Sequence, residues 1–525
     1  MRWPPDWLRS IFPRLYTGFV LLLVVSLPFS RFGLSVAQFS ILGFWFLEGR
    51  LIEKAKELWN NKAAIVLISL YLLHLAGLAY TSDIQYGLKD VRVKLPLLFL
   101  PVAFVTSDYL RTVSVRLVLR VYILAVVVAT IISAAWAFYS GVTDFRAFSP
   151  FISHIRLSLN VVMAIFFMML SLPNGELNFR KLSWWKIPVI LWMVLFLVMI
   201  QSASGLTILI ALIALQVLVI ARKSGVTVTG VIAAVGAVLV VVVPVWWIVT
   251  EWNRYSQPPE VDFSRLPDKT ANGNYYRHDT IRFGVENGAW VGLYICEPEL
   301  EKEWNKRSDL PFTGRDYKGQ PLEATLIRYL SSLGLPKDSS GVAALSDKEI
   351  YFIENGIANE VYTRRFSVKA RLYKIFLEYD ALLHHKNPGG HSVLQRLVYW
   401  KASLNIIGRH MLTGVGTGDL PDAFREYYQT YRPEIPEAFR HRSHNQYLAI
   451  AVAFGIPGVL IFLFTLIYPG IATRRFRNGY YLVFWVVLTL SMLVEDTLET
   501  QMGVTLYAFF NSWLLFGWSN DEQHT

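Results

Sequence analysis

The sequence predicts an all-α polytopic membrane protein with about twelve transmembrane helices and a large, mostly helical section on the outer side. Three observations predict it. Of 525 residues, 54% are hydrophobic, and the mean hydropathy is +0.38, well above that of a soluble enzyme. Apolar runs long enough to cross a bilayer core of about 30 Å recur along the chain. The formal net charge is +11, yet from Thr250 to Ser443 there are 26 Lys and Arg against 25 Asp and Glu, so the surplus sits in the short loops between apolar runs. Placed there, it marks membrane orientation rather than nucleic-acid binding.

The basic N-terminus, MRWPPDWLRSIFPR, leads into an apolar run from Leu15 to about Ser30. No small-residue cleavage site follows and further spans come at once, so it reads as a first span with a cytoplasmic N-terminus, not as a signal peptide. Further spans are expected at roughly 33–49, 63–80, 93–107, 116–138, 152–172, 187–202, 204–221, 227–249, 444–469, 479–496 and 501–518. Twelve crossings put Arg50, Lys54, Lys56 and Lys62 on the N-terminal side, with Arg111, Arg116, Arg180, Lys181, Lys186, Arg222, Lys223, Arg474, Arg475 and Arg477. The opposite loops 201–205 and 495–501 lack Lys and Arg; Lys89, Arg92, Lys94 and Arg146 are the exceptions. Both termini are thus expected in the cytoplasm. The domains read as a membrane part over 1–249, an outward section over 250–443 and a second membrane part over 444–525. Helical periodicity shows in Leu322–Leu333 and Ser346–Ala358, and Pro388-Gly389-Gly390 marks a hinge. The single cysteine, Cys296, excludes an internal disulfide framework and a cysteine-based zinc site, and reads as an apolar filler.

Three outward-facing groups have the chemistry of a site. The first is His154 and Arg156 at the mouth of the sixth span. An arginine beside an apolar run is costly, so it faces protein, water, an anionic ligand or the interface by snorkelling. The second is Arg396 with Trp400 and Lys401, where Arg396 and Trp400 share a helical face; the guanidinium suits bidentate contact with phosphate or a surface salt bridge. The third is Arg440-His441-Arg442-Ser443-His444-Asn445, directly before a span. A histidine there titrates near neutrality and takes a proton from a hydroxyl, or the triplet caps the next helix through Ser443 or Asn445. Glu495, Asp496 and Glu499, between the last two spans, orient a histidine, accept a proton or form a solvated hairpin. Gly414-x-Gly416-x-Gly418 lacks the preceding strand and the Gly-Lys-Ser/Thr ending of a phosphate loop, so it reads as a turn with weak anion-binding potential. His384, His385 and His391 have no carboxylate or cysteine at ligand spacing; neither metal nor cofactor is expected.

At these residues the sequence resembles the O-antigen ligase and polymerase superfamily. The resemblance rests on Arg396-x-x-x-Trp400, Gly414-x-Gly416-x-Gly418, His444-Asn445-x-Tyr447-Leu448, Gly455-x-x-Gly458 and Glu495-Asp496-Thr-Leu-Glu499-x-Gln501-x-Gly503. The outer section looks like a subgroup with a long insertion, on Glu286-Asn-Gly, Thr325-Leu-Ile-Arg328-Tyr-Leu and Glu354-x-Gly356-Ile. The resemblance implies a C-type glycosyltransferase-like enzyme of the Gram-negative inner membrane with its site facing the periplasm. It takes a glycan from undecaprenyl pyrophosphate and, as a ligase, passes it to a sugar hydroxyl of the lipid A core, metal-independent and inverting. Carried over, Arg156 and Arg396 hold the pyrophosphate, and His444 activates the acceptor or steadies the leaving group. His154, Trp400, Lys401, Arg440, His441, Arg442, Asn445, Glu495 and Glu499 are the expected substrate-binding residues. A polymerase joining lipid-linked repeats, a protein O-oligosaccharyltransferase and a lipid-linked-sugar transporter are the alternatives. Polar groups gathered at the outer mouths, rather than deep in the spans, favour a transferase over a transporter.

Overall fold

The computed structural model describes residues 5–140, 147–171, 175–177, 183–224, 227–257, 260–281, 284–364, 367–383 and 392–518. The expected hinge at Pro388-Gly389-Gly390, the histidines His384, His385 and His391, and the basic positions Arg146, Arg180 and Lys181 lie outside these residues. The chain is nearly all helix and divides into two compact units, Met1–Ala234 with His385–Thr525, and Val235–His384. Residues 392–443 therefore group with the apolar helices.

The N-terminal helices are α1 (Asp6–Phe29), α2 (Arg31–Leu47), α3 (Leu51–Asn60), α4 (Lys62–Ala76), α5 (Ile84–Lys94), α6 (Pro96–Thr106), α7 (Asp108–Arg111), α8 (Val115–Tyr139), α9 (His154–Met169), α10 (Lys186–Met199), α11 (Ala203–Ser224) and α12 (Val228–Ser256). The section that follows holds α13 (Glu297–Arg307), α14 (Leu322–Ser332), α15 (Ser339–Ala343), α16 (Asp347–Glu354) and α17 (Val368–Leu383). The chain then forms α18 (Ser392–Arg409), α19 (Leu420–Tyr431), α20 (Gln446–Ala472), α21 (Gly479–Ser491) and α22 (Gln501–Phe516). Among the described residues six helices are long and apolar enough to cross a membrane: Arg9–Phe29, Lys62–Tyr80, Val115–Tyr139, Ala203–Arg222, Gly230–Ser256 and Gln446–Ala472. The pair α2 and α3, bent by 112°, makes a seventh if counted as one span, and α9, α10 and α21 are shorter apolar helices. Each of the twelve apolar stretches of the sequence contains a helix, but length and composition support six or seven spans.

Helix α22 is the axis of the first unit. From Met502 to Leu515 every residue is buried, as expected of a helix that is apolar all round. It packs on α6, and its rings Phe509, Phe510 and Trp513 continue through Phe484, Phe167 and Tyr122 of α21, α9 and α8.

Helix α20 is broken on purpose. Gly455 takes φ 63° and ψ −165°, and the Ile456 amide turns away to Met411 O at 2.8 Å. Pro457 has no N–H, so the carbonyls of Val452 and Ala453 lose their helical donors. The amides of Val415 and Gly416 replace them, at 2.9 Å each. Gly418 donates to Thr81 Oγ1, while Asp419 accepts from the amides of Ser82 and Asp83. The glycine-rich turn is thus a clamp on α20 and the loop before α5; these amides are spent on protein, not offered to an anion. A Cβ on Gly455 would stand 2.4 Å from Met411 O. Gly455→Ala is expected to cost about 3 kcal/mol, read as lowered thermal stability in detergent. An unchanged melting temperature would refute the clamp.

In the second unit, Trp304, Leu322, Leu326, Tyr329, Leu330 and Ile353 form one core, and Tyr255, Tyr373 and Phe376 sit in a smaller one. The expected helices appear as α14 and α16. Arg328 binds Glu286 through Nε at 2.8 Å and Nη2 at 3.1 Å, and Asn359 Nδ2 donates to the same carboxylate at 2.9 Å. The insertion motifs therefore tie this unit together. Cys296 is buried and free. Two minimal antiparallel ladders complete the described structure, Leu170–Ser171 with Glu176–Leu177 and Val285–Glu286 with Ala289–Trp290.

Candidate functional site at the mouth of the apolar unit

The turn Ser443-His444-Asn445 is fixed from both sides. Asn445 caps α20, its Oδ1 accepting from the Leu448 amide at 3.1 Å, while its Nδ2 donates to Leu493 O at 2.9 Å. The Gln446 amide donates to Met492 O at 2.8 Å, and its side-chain oxygen accepts from the Leu498 amide at 2.7 Å. These bonds bring residues 492–499 against the turn, across about fifty positions of sequence. Asn445 thus spends both ends of its amide on the fold, which is the capping alternative.

His444 sits in this turn with φ 44°, a left-handed conformation that histidine tolerates better than most residues. Such strain persists where surroundings impose it. Its Nδ1 lies 3.5 Å from Asp496 Oδ1, long for a hydrogen bond and short enough for an ion pair on protonation. Asp496 raises the histidine above its ordinary value through that contact and its charge; burial and Arg396 oppose the rise. Burial works against Asp496 ionising as well, but His444 and Arg442 hold its carboxyl below the usual range. The ring of Tyr399 stands against both His441 and His444, and Tyr399 donates to Phe439 O at 2.9 Å. His441 is lowered by burial and then by His444, so the two neighbouring rings shift in opposite directions.

The arginines divide into two kinds. Arg396 Nη2 approaches Glu495 Oε1 at 3.4 Å, and Glu495 is raised chiefly by burial. Arg156 lines a pocket with Glu495, Asn160 and the apolar side chains of α1, α9 and α22, and among the described residues its guanidinium makes no ion pair or hydrogen bond. These two face His444 and Asp496 electrostatically, through Glu495. Arg440 is spent on the carbonyls of Ile435 and Pro433, at 2.8 and 3.1 Å. Arg442 donates to Glu499 Oε2 at 3.1 Å and Tyr86 Oη at 3.0 Å, in a network where Lys94, wholly buried, bonds Asp90 at 2.5 Å and faces Glu499 at 3.5 Å. Burial opposes ionisation of Glu499, but Lys94 and Arg442 hold it below its ordinary value. Of the expected substrate-binding set, Arg440, Arg442, Asn445 and Glu499 are therefore engaged by the protein itself. Trp400 is half-buried with an indole N–H that finds no acceptor among the described residues, Lys401 is exposed on α18, and His154 opens α9 two residues before Arg156.

Breaking the inner network has a distinct expected outcome. Arg442→Ala leaves Glu499 with fewer cations, and removing one partner of a buried pair costs roughly 3–5 kcal/mol. Thermal stability and assembly should fall together with activity. Full stability with lost activity would instead make Arg442 a substrate contact.

His444, Glu495 and Asp496 present one ligand atom each within 4.8 Å of one another, a spacing that a cation accepts. Arg396 already answers Glu495, and Arg442 brings positive charge to bear on Asp496, so cations of the protein reach both carboxylates. Sequence reasoning placed Asp496 in an acidic group that orients a histidine without singling it out as the partner of His444; it missed Tyr399 as the ring support, and Lys94 with Asp90. Asp496 stood inside a quoted acidic motif; Lys94 and Glu499 lie too far apart in sequence to signal their pairing.

Residues 342–463 match the O-antigen ligase family model. That match supports the O-antigen ligase superfamily. It spans Arg396, the glycine clamp and the His444 turn. The family supports an O-antigen ligase or a related polymerase-type function, a membrane glycosyltransferase-like enzyme acting on a lipid-linked glycan. With the apolar helices it points to a multi-pass membrane protein. No curated protein matches the chain.

Proposed function

We propose that this chain is an O-antigen ligase of the Gram-negative inner membrane, crossing it twelve times with both termini in the cytoplasm and its site facing the periplasm. It transfers a glycan from undecaprenyl pyrophosphate to a sugar hydroxyl of the lipid A core. The observation that carries the reading is His444, backed by Asp496, with the Arg156 guanidinium facing the same acidic loop and, among the described residues, making no ion pair or hydrogen bond.

The acceptor hydroxyl oxygen attacks the anomeric carbon from the face opposite the pyrophosphate, which inverts that centre. Asp496 lies against Nδ1, so Nε2 of His444 takes the hydroxyl proton. The C–O bond to phosphate breaks with its electron pair going to the leaving pyrophosphate. Arg156 and Arg396 neutralise the charge that develops there, in a buried setting where such contacts are strong. Arg396 exchanges Glu495 for phosphate on donor binding. His154, Trp400 and Lys401 complete the donor side.

Incubation of the protein in nanodiscs with undecaprenyl-pyrophosphate glycan and lipid A core, with and without EDTA, tests this. The core should gain mass at equal rates in both. A donor that lengthens while the core stays bare would make the protein a polymerase; loss of transfer in EDTA restored by a divalent ion would make the His444, Glu495 and Asp496 trio a metal site.

A further inference from the structure

We infer that α3 is an interfacial helix, its face of Leu51, Ile52, Ala55 and Trp59 seated among the lipid headgroups of the leaflet reached by the Leu47 end of α2. The bend that sets α3 across α2 is built into the fold. Gly49 and Arg50 take φ 69° and 59°, two successive left-handed residues, and the helix axes turn through 112°. Lys54, in the first turn of α3, is buried; its Nζ meets Glu48 Oε2 at 2.8 Å and donates to Trp45 O at 2.6 Å. Glu48 accepts in addition from Ser107 Oγ at 2.6 Å and from the Tyr16 hydroxyl. Breaking such a buried pair is costly, so it pins α3 across the end of α2. On the outer side Arg50 reaches Asp108 at 3.1 Å. Helix α3 therefore does not prolong the line of α2 as one span.

Its ten residues divide the surface of α3 three ways. Lys54 marks the side turned to protein, where α3 packs on α6 and α4. Glu53, Lys56, Glu57 and Asn60 share a charged and polar face that suits water. Leu51, Ile52, Ala55 and Trp59 share the remaining face, and all four are exposed, Ile52 by 76% and Trp59 by 79%. An apolar face this open needs a cover, and three observations make the cover a bilayer surface. The face continues the exposed apolar side of α2, at Phe39, Phe46 and Leu47, so the lipid that meets α2 meets α3 next. Helix α2 has 17 residues, a rise of about 25 Å against a hydrocarbon core of about 30 Å. A helix lying across its end, with its apolar face about 5–10 Å into the boundary, makes up the difference. Trp59 then stands at headgroup level, where an indole is favoured. Helix α4 starts directly afterwards at Lys62 and is the helix against which α20 packs, so the seat of α3 sets the depth of that pair.

The test puts one fluorescent thiol label on each open face of α3, in the full chain in nanodiscs of phosphatidylethanolamine and phosphatidylglycerol. Ile52→Cys, Lys56→Cys and Trp59→Cys are labelled one at a time; all three positions are exposed, so the label displaces no packed side chain. Cys296, the one native cysteine, is buried. Its background is removed by Cys296→Ala or, where that change lowers the melting temperature, by subtracting the label taken up by the unaltered chain. Labels at positions 52 and 59 should lose emission to a lipid carrying a nitroxide next to its headgroup. They should lose less to one with the nitroxide at the chain end, and none to aqueous iodide. The label at position 56 should lose emission to iodide and to neither lipid. Strongest quenching at 52 and 59 by the chain-end nitroxide would put α3 inside the bilayer as a re-entrant segment. Iodide quenching at all three positions would leave the face in water. Labels at 52 and 59 that no quencher reaches would put protein on the face, a second copy of this chain or another partner. Each of these three results overturns the interfacial seat.

Discussion

His444→Ala is expected to abolish glycan transfer, with a rate loss of 10²–10⁴-fold, the range of a lost general base, and little loss of donor binding. The ring packs against Tyr399 and His441, and its backbone stays in a turn held by Asn445, Gln446 and the 492–499 loop. Relief of the left-handed φ does not arise, because alanine inherits it; a fold control by thermal unfolding therefore accompanies the assay. The pH dependence follows from the direction of the shift. A base must be neutral to act, so kcat/KM rises with pH through the His444 pKa. Asp496 raises that pKa, with Glu495 helping and Arg396 opposing. The wild-type acidic limb should lie above the ordinary histidine value. Asp496→Asn removes the raising contact, so the limb should move to lower pH while the plateau falls, because the ring loses its orienting partner. His441, lowered by burial and by His444, contributes no acidic limb above the ordinary value. A limb that stays in place in Asp496→Asn would remove His444 from the role of base.

What the sequence made legible follows from the range of each signal. Twelve apolar stretches were visible because hydropathy is local, and each contains a helix; the number of crossings is less legible, because α9, α10 and α21 are short for a span. The glycines at 414, 416 and 418 and the Gly455-x-x-Gly458 pattern were both legible as motifs but not as one device. Their joint purpose, donors from one replacing donors missing in the other, exists only after residues some forty apart meet. Arg156 was legible through cost, since a cation at an apolar mouth requires a reason; Arg396 was legible through the fit of a guanidinium to phosphate, and His444 through its place directly before a span. That same cost does not separate an arginine waiting for a ligand from one that the fold employs. Arg442 and Arg440 have the same local sequence signature as a phosphate contact, and only Glu499, Tyr86 and two carbonyls show where their donors go.

Arg156→Leu is expected to stop transfer while leaving the protein as stable as wild type or more so, and this pairing of outcomes separates a ligand-binding cation from a structural one. Burying a charge without a partner is unfavourable, and replacing it by an apolar group of similar size recovers that cost. Among the described residues the Arg156 guanidinium has no bonded carboxylate, and beside Asn160, Glu495 and Thr497 its surroundings include Leu27, Ile155, Leu159 and Met502, which accept a leucine. The melting temperature should hold or rise, in contrast to the fall expected for Arg442→Ala, whose partner Glu499 is buried. Activity should fall by 10²-fold or more, since the developing negative charge of the leaving pyrophosphate loses a pre-placed cation. Donor binding should weaken with it, so that KM rises as kcat drops. Arg156→Lys keeps the charge and loses the fork, and should restore only part of the rate. Were Arg156→Leu to melt early and its residual folded fraction to turn over normally, the guanidinium would be holding the helices together and the anion site would have to be sought elsewhere at the mouth.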